Sequence, residues 1–239
     1  MNGNELSKRL RAAANYVREG DRLADIGSDH AYLPCALAEE GIISFAVAGE
    51  VVQGPFERSQ KEVRQRGLEH FIQVRKGNGL EVISAEDKIN TITICGMGGS
   101  LICSILEEGR QQKKLLTTER LILQPNVGEH LVRKWLDQNG FEIRQEEILK
   151  EHGKFYEIIV AEKNAEKKVQ NYSESDYQFG PVLRKECSSF FIEKWQKELD
   201  KNQTILEKLR LSAHDTTAKR KVLENNIKII KEMIDICHS

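Results

Sequence analysis

The stretch "LADIGSDHAYLP", Leu23 to Pro34, sets two carboxylates, a hydroxyl, a glycine and an imidazole directly after a short apolar run. A turn needs only the glycine. Asp25, Ser28, Asp29 and His30 add groups that accept protons, hold hydrogen bonds or neutralise a cation. If the apolar run is a buried strand ending at Asp25, then Gly27, Ser28 and Asp29 occupy the loop at its carboxyl end, where open α/β sheets bind ligands. Gly27 lets backbone approach a ligand closely, and the free N–H groups of the next helix favour an electron-rich group. Three more strand ends have the same character. "AVAGEVV" offers Glu50, followed by Val51, at the distance from a first glycine turn where an acidic residue takes both ribose hydroxyls; the alternative for Glu50 is a solvated strand end. "KGNGL" offers the Asn78 amide, beside Gly79, for an adenine edge. "CGMGG" places Gly96, Met97, Gly98 and Gly99 together, more glycine than one turn needs, as a floor where a flat substrate meets backbone. "LQPN" contributes Asn126 at a further strand end.

The dinucleotide fingerprint G-x-G-x-x-G is replaced here by G-S-D-H-A-Y, and Asp29 stands where a pyrophosphate would press. That conflict disfavours a nicotinamide cofactor. A cationic nucleoside reverses the argument, since S-adenosylmethionine carries a sulfonium and an ammonium that acidic side chains attract. The five cysteines never form C-x-x-C and no histidine cluster accompanies them. The expectation is therefore no metal site, no disulfide framework, and reduced thiols in a cytoplasmic protein.

The elements that must carry these residues are legible in the hydrophobic pattern. Short β-branched runs at Arg22–Ile26, Ile43–Gly49, Phe71–Val74, Ile89–Cys95 and Arg120–Leu123 alternate with helical patterns near Ala31–Glu40, Pro55–Arg66, Leu101–Glu108 and Glu129–Gln138. Such alternation predicts crossover units and a parallel sheet covered on both faces. "FEIRQEEILKEHGKFYEIIVAE" then reads as two strands joined at His152-Gly153, an antiparallel hairpin closing the sheet.

Beyond residue 162 the composition changes. Residues 163–239 hold one glycine, Gly180, against sixteen before them, and carry a net +3 against −4 for residues 1–162. Two domains are expected, 1–162 and 163–239, with a polar linker opening the second. Ile192, Trp195, Leu199, Asn202, Leu206, Leu209 and Ala213 recur at spacings of three and four, and Leu223, Ile227, Ile230, Ile234 and Cys237 repeat the pattern. This predicts a coiled-coil helical hairpin, with "SAHDTTAK" supplying caps for its turn. Pairing within one chain favours a monomer. The polar opening residues suggest no signal peptide, and no apolar run approaches a membrane span. Lys8, Arg9 and Arg11 on an opening helix, and Lys219, Arg220 and Lys221 beside the hairpin turn, are candidate phosphate contacts or solvated faces. Phe190, Phe191 and Trp195 could stack bases but better suit the tail's core.

"LADIGSDHAYLP", "AVAGEVVQGP", "VRKGNGL" and "ITICGMGG" together resemble the successive motifs of the TrmK family, bacterial S-adenosylmethionine-dependent methyltransferases acting on N1 of the adenine at tRNA position 22. The resemblance covers roughly residues 4–162 and implies a Rossmann-like class I methyltransferase domain followed by a coiled-coil domain. It implies cofactor contacts from Asp25, Gly27, Ser28, His30, Glu50, Val51, Asn78, Gly79, Gly96 and Met97, and a tRNA partner. The family usually has Asp where this chain has Asn78, which keeps an acceptor oxygen and adds a donor.

Methylation at N1 is an in-line attack by a ring nitrogen on a sulfonium methyl, so alignment and desolvation are what a protein must supply. Positive charge grows on the adenine, and acceptors near its exocyclic amine stabilise it. Asp29 is the candidate catalytic residue, with the carbonyls of Gly96, Met97 and Gly98 as fixed dipoles and Gly98, Gly99 and Asn126 meeting the base; a helix N-cap is the alternative for Asp29. The base must leave its stack to be reached. Another RNA, a protein side chain, a small molecule, or a non-catalytic RNA-binding role remain alternatives on residue types alone.

Overall fold

The computed structural model describes residues 6–115, 119–163, 170, 172–211 and 216–238. Five parallel strands come first: β1 (Asp21–Ile26), β2 (Ile43–Glu50), β3 (Ile72–Lys76), β4 (Thr91–Gly98) and β5 (Arg120–Val127). A hairpin of β6 (Phe141–Glu151) and β7 (Lys154–Lys163) completes one seven-stranded sheet of order β3-β2-β1-β4-β5-β7-β6. Only β7 runs against its neighbours. β1 is fully interior and reads accordingly, with Leu23 and Ala24 at zero exposure, as expected for a strand covered on both faces. The hairpin turns through His152 and Gly153, both at positive φ, where the sequence places it.

Helices α1 (Lys8–Ala14), α2 (Tyr32–Glu39) and α3 (Gln53–Gln65) pack in one row, and α4 (Gly99–Gln111), α5 (Glu129–Gln138) and α6 (Glu174–Phe179) in another. Right-handed crossovers put the two rows on opposite faces of the sheet. Strand order reverses between β1 and β4, so the carboxyl ends of those two strands flank the switch point where doubly wound sheets open a crevice. The acidic and glycine-rich loops of β1 and β4 both emerge there.

The chain divides into Met1–Gly180 and Pro181–Ser239, beyond the boundary expected at 162/163. The reason is a charge cluster invisible in the hydrophobic pattern. Arg133 on α5 is fully buried; its Nε donates to Glu146 on β6 at 2.7 Å, its Nη2 to Glu157 on β7, and its Nη1 to the Tyr177 carbonyl on α6 at 3.1 Å. A side chain on Gly180 would meet Glu146 and Arg133 within 2.9 Å. Residues 174–180, expected in the second domain, thus belong with the sheet.

The second unit contains α7 (Leu183–Glu186), α8 (Ser189–Arg210) and α9 (Thr217–His238). α8 and α9 pack on one another, burying Trp195, Leu199, Leu206, Ile227, Ile230 and Ile234. Asn202 and Leu209 are half-buried on the same seam; Ala213 and much of the expected capping segment lie outside the described residues. Phe191 and Trp195 are core, while Phe190 is exposed. The expectation of five reduced thiols is corrected here. Cys187 and Cys237 form a disulfide, with Cα atoms 5.3 Å apart across 50 residues of sequence. Antiparallel pairing brings the start of α8 beside the end of α9, a proximity that linear spacing does not reveal. Cys35, Cys95 and Cys103 are free.

Candidate active site

The penultimate residue of β1 is a buried carboxylate. Asp25 lies opposite Thr93 in the β1–β4 register and accepts from Thr93 Oγ1 at 2.6 Å and from Ser28 Oγ. Burial pushes its carboxyl up to about 6 against the pull of those two hydroxyls, with the charges of Glu50 and Asp29 adding to the rise. Thr93 is a site residue that the loop motifs did not name. Its signal was the T-x-T alternation of β4, which presents Thr91 to Asp21 at 2.7 Å and Thr93 to Asp25.

The loop after Asp25 is held in a costly conformation. Asp29, His30 and Ala31 have φ of 44°, 73° and 58° in succession, after Gly27 at 67°. A non-glycine residue in this region costs on the order of 1 kcal/mol, and such strain persists only where the surroundings hold it. Gly27 N–H and Ser28 N–H both donate to the Gly49 carbonyl, at 2.9 and 3.3 Å, and the Asp29 N–H donates to the Glu50 carboxylate. The Asp29 side chain is 82% exposed, and the N-cap position of α2 is Ala31, with no side-chain cap hydrogen bond. The helix-cap alternative for Asp29 therefore fails. His30 stacks on Tyr32 at 5.2 Å and its Nε2 lies 3.5 Å from Asp29 Oδ1.

Glu50, at the end of β2, is 6% exposed and accepts from Ser59 Oγ at 3.5 Å. Burial raises its pKa, the Asp29 N–H opposes that, and the Asp29 charge adds to it. Val51 beside it is 58% exposed, an apolar wall at the rim. Among the described residues no lysine or arginine pairs with Asp25 or Glu50, and no group of His, Cys, Asp and Glu could hold a metal ion.

The glycines of "CGMGG" separate into different roles. A Cβ on Gly27 would fall 2.0 Å from Met97 Cε, so the β1 and β4 loops touch at that point. Gly96 has φ of 80°. Gly99, expected to meet substrate, is buried and required by packing, since a Cβ there would lie 2.2 Å from the Gly128 carbonyl oxygen. Gly98 has only Val127 at 3.9 Å, leaving open space above its backbone.

Asn78 begins a short 3-10 turn (Gly79–Val82), and its side-chain amide donates to Glu108 on α4 at 3.3 Å. Asn126 Nδ2 donates to the Gly96 carbonyl at 2.7 Å. The basic cluster expected on the opening helix is broken up. Lys8 is exposed, Arg11 pairs with Glu40 at 2.8 Å, and Arg9 turns inward to Gln124 at 2.6 Å and over the Tyr156 ring at 5.6 Å. On α9, Lys219 and Lys221 are exposed, while Arg220 folds back with its Nη2 3.3 Å from Thr217 Oγ1 and its Nε buried. A separate groove of about 490 Å³ between α4 and α5 carries Glu107 and Glu108, unsuited to phosphate.

A doubly wound sheet with this strand order, with buried acids on the adjacent ends of β1 and β2 and a glycine-cleared loop at its switch point, defines a Rossmann-type methyltransferase domain. The family model described as tRNA (adenine(22)-N(1))-methyltransferase, TrmK, matches residues 23–232, and the chain belongs to that family. It is 42% identical over 239 residues to the tRNA (adenine(22)-N(1))-methyltransferase of Bacillus subtilis, covering 98% of this chain and 99% of that protein. The crystal structure of Bacillus subtilis TrmK superposes with a TM-score of 0.88 at 41% identity, over 97% of this chain and 99% of that one. A Streptococcus pneumoniae structure in complex with S-adenosyl-L-methionine has a TM-score of 0.87 at 48% identity, over 96% and 100%. Mycoplasma capricolum TrmK in complex with S-adenosyl-homocysteine has 0.84 at 28%, over 97% and 99%.

Proposed function

We propose that this chain methylates N1 of adenine 22 in tRNA at the carboxyl edge of β1, β2 and β4, with Asp25 and Glu50 holding the methyl donor and Asp29 facing the base. The observation that carries the placement is the pair of buried carboxylates, paired with no lysine or arginine among the described residues, on adjacent strand ends. Two acids whose pKa values are raised by burial and by neighbouring carboxylates form a site whose electrostatic demand is a cation, and the related Streptococcus pneumoniae structure holds a sulfonium nucleoside. The residues present therefore fit S-adenosylmethionine. When bound, it supplies a methyl group on a sulfonium that leaves as a neutral thioether.

The chain's own work is binding, alignment and charge. Asp25, with Gly27, Ser28 and His30 around it, addresses the cationic end. Glu50 accepts from ribose hydroxyls, and Val51, Asn78 and Gly79 bound the adenine of the cofactor. Gly96 and Met97 close the pocket from β4. The open backbone at Gly98 admits the everted base. Asp29, exposed and fixed by its backbone rather than by a salt bridge to Lys or Arg, accepts from the exocyclic amine as charge develops on the ring.

The tRNA needs phosphate contacts besides the reacting base. Lys8, Lys219 and Lys221 are the exposed cations from the two expected clusters, and the helical unit is assigned to grip the RNA. A truncation testing this should end at Gly180 rather than Gln170, since removing α6 would strip partners from buried Arg133. Among the described residues no helix is long and apolar enough to cross a membrane.

The division of roles is tested by two substitutions in the full-length chain. Glu50→Gln should weaken calorimetric S-adenosylmethionine affinity by about tenfold or more, while Asp29→Asn should lower kcat with that affinity changed by less than about twofold. A reversed pattern would refute the assignment.

A further inference from the structure

We infer that Gln124 on β5 is a positioning residue for methyl transfer, holding Gly96 by its N–H directly and by its carbonyl through Asn126; the inference rests on the site placement proposed above. The Gln124 side chain has zero exposure, and each half of its amide meets partners of the right kind. Oε1 accepts from the Gly96 N–H at 3.0 Å and from Arg9 Nη1 at 2.6 Å. Nε2 donates to the Pro125 carbonyl at 2.8 Å and to Asn126 Oδ1 at 3.2 Å. A flipped amide would set its NH2 against two donors and its oxygen against two acceptors, so the orientation is fixed. Asn126, oriented in turn, donates from Nδ2 to the Gly96 carbonyl at 2.7 Å.

One buried side chain thus governs the glycine that most needs governing. Gly96 sits at φ of 80°, with no side chain to limit its other conformations. The residue after it, Met97, packs into the space facing Gly27. Rotation at Gly96 would therefore displace the loop that carries Ser28 and Asp29. Arg9 completes the device from α1, its guanidinium lying 3.1 Å from where a Cβ on Gly96 would be. Misplacement of groups around a reacting atom by about 1 Å costs on the order of a hundredfold in rate, so a clamp of this kind acts on kcat.

The test uses the full-length chain with Gln124→Leu, Gln124→Glu, Asn126→Ala and the Gln124→Leu/Asn126→Ala double variant. kcat and KM are measured on unmodified tRNA, with kcat counted per molecule that binds S-adenosylmethionine in calorimetry. Gln124→Leu should lower that kcat by at least about tenfold with KM for tRNA within about threefold. Gln124→Glu keeps the acceptor for Gly96 and Arg9 and should recover part of the loss. Asn126→Ala should also lower kcat, and the double variant should be within about twofold of Gln124→Leu because both act on Gly96. Unchanged kcat per competent molecule in the single variants, or losses that multiply in the double, would overturn the inference. If Gln124→Leu fails to fold, exposed Asn126→Ala decides alone, and full kcat there overturns it. A wild-type chain that binds donor but makes no product would instead refute the proposed function and this inference with it.

Discussion

Removing the charge of Asp25 should stabilise the fold and disable the site. The carboxyl is held at about 6 against 3.8 in its ordinary state, a shift of about two units, or about 3 kcal/mol at 1.36 kcal/mol per unit. A carboxylate whose folded pKa is raised contributes stability that is fully present below its unfolded pKa and is lost as pH rises through its folded value. Ionised Asp25 therefore opposes folding by about 3 kcal/mol at neutral pH and by nothing below about pH 4. Asn at this position keeps the shape, and Ser28 and Thr93 can rotate their hydroxyls to suit it. Urea unfolding of Asp25→Asn and of the parent, both carrying Trp195→Phe so that Trp135 alone reports on the sheet unit, isolates the effect. The variant should gain on the parent by about 3 kcal/mol between about pH 4 and pH 7, with the change centred between the two pKa values. The same variant should lose S-adenosylmethionine affinity, and affinity of the parent should fall as pH drops through 6, since a proton competes with the cation. A stability gap that ignores pH, or that widens towards acid, would show that ionised Asp25 does not oppose folding.

Arg133→Met leaves Glu146 and Glu157 buried without their cation and should destabilise the sheet unit by about 3–5 kcal/mol, read as a shift in the Trp135 unfolding midpoint; a shift under about 1 kcal/mol would show that the cluster is not holding α6. Reducing the Cys187–Cys237 bond, which closes 50 residues, should lower the stability of the helical unit by up to about 4 kcal/mol on the chain-entropy account. Circular-dichroism melts with and without reductant check it, with Cys187→Ser insensitive to reductant and matching the reduced parent.

Much of the sheet was legible because parallel strands buried on both faces write themselves as short apolar runs, and crossover helices as periodic stretches between them. The hairpin announced itself at His152-Gly153, and the acids at the ends of β1 and β2 stood out because a charge there has no structural purpose of its own. What escaped was set by long-range polar contact. Arg133, Glu146 and Glu157 look like solvated charges in sequence and are buried only because three elements converge on them. The Cys187–Cys237 pair depends on helix direction. Gln124 lies inside the strand-end motif that drew attention to Asn126, yet only the fold brings its amide to Gly96. Arg9 and Arg11 share a helix with Lys8 but face a strand edge and Glu40 respectively, so a basic run in sequence was not a basic surface. Gly99 shows an ambiguity of the same kind, since close backbone packing and close substrate approach demand the same residue.

On the proposed placement, this acidic strand edge delivers a methyl group to N1 of one tRNA adenine. Nucleoside mass spectrometry of unmodified tRNA, incubated with the purified chain and S-adenosylmethionine bearing a deuterated methyl, measures it directly. The expected product is labelled 1-methyladenosine that maps to position 22 and is lost with Glu50→Gln. Label on a different nucleoside or position, or no label despite bound donor, would contradict it.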